Sequence, residues 1–97
     1  MMITKMQSAL DAVEAALAAI GAEISEHVAG RGTVGSQQQL KTFRANLEAM
    51  RDQIMSGTMP PPGQRLASMG RPITDSWPFD SRLGGALLKA EQLYLKL

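Results

Sequence analysis

The chain has 97 residues, a formal net charge of +1, 44% hydrophobic and 4% aromatic residues, and no cysteine. That length supports one domain with a thin core, and the missing cysteine excludes disulfides, thiol catalysis and thiolate metal sites. The near-neutral balance implies neither a nucleic-acid partner nor an acidic tail.

The first segment carries the strongest periodicity. Ile3, Met6, Leu10, Val13, Leu17, Ile20 and Ile24 recur at spacings of 3, 4, 3, 4, 3 and 4, the a/d stripe of a coiled-coil-like helix. Thr4 or Ser8 is the candidate start, and Gly30 the left-handed stop just after Ala29. Alanines flank the stripe, so another helix can approach closely.

The second segment repeats the pattern in Leu40, Phe43, Leu47, Met50 and Ile54. Ser36 and Gln39 form a capping-box pattern at its start, and Gly57 supplies its stop. The intervening Gly30–Gly35 loop is short, which predicts antiparallel neighbours. Folding the chain about residue 33 lays the two stripes in register and brings Glu14 towards Arg51. The first helix carries a net charge of −3 and the stretch from Arg31 to Asp52 a net of +2. This complementarity sets register more than stability, since exposed pairs are worth ~0–1 kcal/mol each.

Residues 57–80 read as a Pro/Gly-rich connector. Met59-Pro60-Pro61-Pro62-Gly63 predicts polyproline II. A helical turn or two over 64–69 is expected to end at Gly70 and be blocked by Pro72. Asp80 or Ser81 then caps a helix over 81–97 with Leu83, Leu87, Ala90, Tyr94 and Leu97 on its apolar face, widened by Leu88 and Leu95. Gly84-Gly85 weakens its first turns, which indicates either close packing or a late helix start.

No motif reads as chemistry. Gly30-Arg31-Gly32-Thr33-Val34-Gly35 matches G-x-G-x-x-G, but a helix rather than a strand precedes it, so a hairpin loop is the reading. A weaker variant is an anion held by the amides at the start of the second helix with Arg31 and Ser36. His27, the one histidine, lacks partner ligands for a metal and is read as structural. Arg44, Arg51, Arg65, Arg71 and Arg82 are interleaved with acids rather than clustered. The methionines read as core filling. Trp77-Pro78-Phe79-Asp80 is the most unusual stretch in an aromatic-poor chain. Its two rings are expected either to plug the open side of the hairpin or to act as recognition anchors.

The expectation is therefore an all-α single domain over 1–97. It comprises an antiparallel helical hairpin with a coiled-coil-like seam (1–56), a connector (57–80) and a C-terminal third helix (81–97), in a bundle completed by dimerisation. No apolar run reaches the ~20 residues of a membrane span, and Asp11 and Glu14 interrupt the N-terminal segment, which is not expected to be a signal peptide. A cytoplasmic location is expected. Function is expected to be non-catalytic: a protein–protein interaction or self-association, with no catalytic, cofactor or metal residue assigned. Ile3, Met6, Trp77, Phe79 and Tyr94 are the interaction candidates. The alternatives are a small-ligand pocket between the hairpin and the Trp77–Phe79 segment and, less favoured, a nucleic-acid accessory role.

Overall fold

In the computed structural model, which describes residues 4–65 and 67–97, Thr4 starts the first helix by accepting the Gln7 N–H on its hydroxyl at 3.0 Å. This helix, α1, runs Lys5–Val28, and Gly30 with φ +80° turns the chain beyond it. Ser36 caps α2, Gln37–Ser56, by accepting the Gln39 N–H. Gly57, at φ +71°, closes α2 with its N–H on the Gln53 carbonyl. The capping box is half formed, because the Gln39 side chain is engaged by Trp77 instead.

Leu40, Phe43, Leu47, Met50 and Ile54, the whole predicted stripe of α2, are buried. The buried face of α1 is Ala9, Val13, Ala16, Ile20 and Ile24, with Leu10 and Leu17 at its edge. The face is rotated towards the alanines because α1 packs on two helices, α2 and α4 (Arg82–Leu95). The described residues contain helices and no strand, arranged as a small bundle of 40 × 29 × 22 Å.

Several expectations change in the connector. Pro61 is extended, as polyproline II requires, but Pro62–Gln64 forms a single 3-10 turn. The helical turn expected over 64–69 includes Leu66, which lies outside the described residues. Gly70 starts a helix rather than ending one: α3 runs Gly70–Ser76. Pro72 is tolerated because it falls in the first turn, where its missing N–H has no helical acceptor to lose. The C-terminal helix is therefore the fourth, not the third. Ser81 caps it by accepting the Gly84 N–H at 3.0 Å.

Gly84 is buried against α3, where an added Cβ would lie 3.2 Å from Ile73 Cγ2. Leu95, expected on the apolar face of α4, is exposed. Arg65 ties the connector down, donating to the Pro60 carbonyl at 3.0 Å and to the Leu95 carbonyl at the end of α4 at 3.2 Å. The Glu14–Arg51 ion pair does not form. Among the described residues ion pairs are local: Arg51 lies beside Asp52, Arg44 beside Glu48 and Arg31 beside Glu26. Of these only Arg44–Glu48 has the i,i+4 spacing at which helix side chains face one another.

Candidate functional site

The two aromatic residues around Pro78 part company. Trp77 follows the last residue of α3 and is buried, its ring 5.9 Å from that of Phe43 and tilted by 47°. Its indole N–H donates to Gln39 Oε1 at 3.1 Å, which gives the one polar atom of a buried indole its partner. Trp77 thus fills the junction between the hairpin and α3. Phe79, two residues on, is fully exposed. The expectation that both rings plug the hairpin holds for Trp77 alone.

Tyr94 is wholly buried and its hydroxyl donates to Gln53 Oε1, joining α4 to α2. Gln39 and Gln53 lie at opposite ends of α2, so Trp77 and Tyr94 engage it about 21 Å apart at 1.5 Å rise per residue. Met6 is 47% exposed in the first turn of α1. Ile3 lies outside the described residues. Trp77 and Phe79 border a common cavity. It measures about 290 Å³, lies between α3 and α4, and is lined by Ile73, Thr74, Trp77, Gly84, Gly85 and Leu88 among others. A wider groove of about 610 Å³ runs between α1 and α4, walled by Ala12, Ala15, Ala86 and Leu93 with Asp11 and Lys89 at its edge.

The glycine-rich loop is filled from within. The Glu23 carboxylate accepts the Thr33 N–H at 2.6 Å, the Val34 N–H at 3.2 Å and the Thr33 hydroxyl at 3.1 Å. Burial pushes its pKa up, but those donors and the neighbouring His27 outweigh burial and hold it below the ordinary carboxylate value. His27 Nε2 lies 2.8 Å from the Val34 carbonyl and 3.3 Å from Glu23. Arg31 is held by Glu26 at 2.7 Å. Of the groups the sequence offered to an anion, Arg31 is thus held by Glu26 and the Ser36 hydroxyl takes the Gln39 N–H, while Glu23 engages the loop amides just before them.

Glu91 went unnoticed in the sequence. It is buried on α4 against the start of α3, and its Oε2 has no hydrogen-bond partner among the described residues. Burial raises its pKa, and the adjacent Gly70 and Met69 amides offset this only in part. An acid on the inner face of an amphipathic helix was the available signal. Among the described residues no group of three or more His, Asp or Glu side chains is placed to hold a metal. No described helix is long and apolar enough to cross a membrane. No protein family matches the chain, and no curated protein resembles it in sequence.

Proposed function

We propose that this protein is a non-catalytic interaction module that presents the α3–α4 corner to another protein, with Phe79 as the anchor. One observation carries this reading: a fully exposed phenylalanine standing beside an open cavity of about 290 Å³ on an otherwise well-buried set of rings. Large aromatic side chains are the usual energetic anchors of protein interfaces. The scaffold beneath it is fixed, because Trp77 is pinned by Phe43 and Gln39 and Gly84 packs on Ile73. A rigid base lowers the entropic cost of presenting the ring.

The test is affinity capture with wild-type and Phe79→Asp baits under identical conditions. A protein retained by the wild type, this chain itself included, and lost with Phe79→Asp supports the reading. Equal retention by both baits, or retention by neither, removes Phe79 as the anchor.

A further inference from the structure

Three features of the α3–α4 corner serve no purpose within a single chain. Phe79 is fully exposed. The cavity beside it is unfilled by its own chain. Gly85 sits in the first turns of α4, where glycine weakens a helix relative to alanine, yet a Cβ there would meet nothing within 4 Å. Its neighbour Gly84 is explained by Ile73; Gly85 meets no atom of the described residues that would explain it.

We infer that this corner is the interface of a two-fold homodimer in which each Phe79 ring enters the α3–α4 cavity of the other copy. This rests on the interaction reading above and names its partner. A projecting ring and a hole side by side on one surface are self-complementary, since a two-fold rotation sets each ring opposite the other copy's hole. The size is adequate: an apolar cavity of ~150 Å³ accepts a benzene ring, and this one measures about 290 Å³. Gly85 lines it, and the absence of a side chain there keeps the wall open to an incoming ring.

Charge points to the same partner. Arg71, Asp75, Asp80 and Arg82 flank the cavity-lining residues along the chain, all exposed, and none forms an ion pair among the described residues. A second copy brings two cations and two anions of its own, so each sign has an opposite available across the interface. A nucleic acid or a strongly acidic peptide would instead be met by one sign.

The experiment is sedimentation equilibrium of the purified full chain from about 1 µM to 1 mM, for wild type, Phe79→Ala and Gly85→Leu, with helical content and melting followed by circular dichroism. The wild type is expected to dimerise. Phe79→Ala is expected to weaken the dimer at least about 100-fold, because symmetry removes two anchors at once. Gly85→Leu is expected to weaken it by at least about tenfold by filling the hole, while melting no lower than the wild type at a concentration where both are monomeric, since leucine favours helix over glycine. Trp77, which borders the cavity, should change its emission on dilution of the wild type only. A wild type monomeric at 1 mM, or a dimer constant unmoved by both substitutions, overturns the homodimer. If capture of a different protein still depends on Phe79, the interaction reading survives that failure; if it does not, both fall.

Discussion

Glu23 and Glu91 are two carboxylates that folding treats in opposite ways. Glu23 is surrounded by donors and its pKa is lowered; Glu91 is buried with one oxygen unpartnered and its pKa is raised, both relative to the ordinary 4.5. By linkage, the contribution of Glu23 is present above the ordinary value and is lost as pH falls through its lowered pKa. That of Glu91 is full below the ordinary value and is lost as pH rises through its raised pKa. Glu91→Gln should therefore melt higher than wild type at pH 8, by the equivalent of about 1 kcal/mol, and match it more closely near pH 4. Thermal melts across that range decide it; a constant offset between the two proteins would show that Glu91 charge is not the cause. At the loop, a Cβ on Gly32 would overlap the His27 ring, which Val34 and Glu23 hold in place. Gly32→Ala should cost about 1 kcal/mol or more by displacing that ring, and the cost should vanish in a His27→Ala background. A double-mutant cycle measures this coupling; additive effects would mean that the ring and the glycine are independent.

At the scale of elements, the adjacent glycines of α4 separate packing from propensity. Gly85→Ala should stabilise the monomer by about 1 kcal/mol, since its Cβ meets open space. Gly84→Ala should forfeit that gain, because its Cβ would press on Ile73 Cγ2 at 3.2 Å and on the capping Ser81 at 3.4 Å. Chemical denaturation of the two variants at low concentration orders them, and equal stability would refute the α3–α4 contact. The hairpin was legible because periodicity, caps and stop signals agreed: Thr4, Ser36, Gly30 and Gly57 all act as read. α3 was not legible, because Gly70 and Pro72 are individually stop signals and only their position in the first turn of a seven-residue helix makes them compatible with it. That miss hid the fate of the candidate site. Trp77 and Phe79 look alike in sequence, and the end of α3 alone determines that the first turns onto α2 while the second stays in water. The clamp of Glu23 on the loop was not legible for a related reason: Glu23, on α1, is ten residues from Thr33 in the chain, so the contact is a consequence of the turn and not of any local pattern.

At the scale of the molecule, α1 is the shared support. It packs against both α2 and α4, and its Ala9 and Ala16 are completely buried where leucines at its edge are only partly so. The second and fourth helices are joined through side chains, Tyr94 to Gln53, and through the common core around Leu47, Met50 and Leu87. A single core of this kind should lose its parts together. Leu87 is fully buried on α4, and truncating such a leucine costs ~2–5 kcal/mol through lost transfer energy and the cavity left behind. Leu87→Ala should thus destabilise the whole bundle by that amount, even though Leu87 is remote in sequence from the hairpin. Trp77 provides the check, because it is the one tryptophan and is docked on Phe43 and Gln39 of α2. In wild type and in Leu87→Ala, the denaturation midpoint from Trp77 emission should coincide with that from helical circular dichroism, both moving by the same amount. If Leu87→Ala instead released the Trp77 signal at a lower denaturant concentration than the helical signal, the α3–α4 corner would be a separately melting unit docked on a self-sufficient hairpin. The rigid base required beneath Phe79 would then be absent.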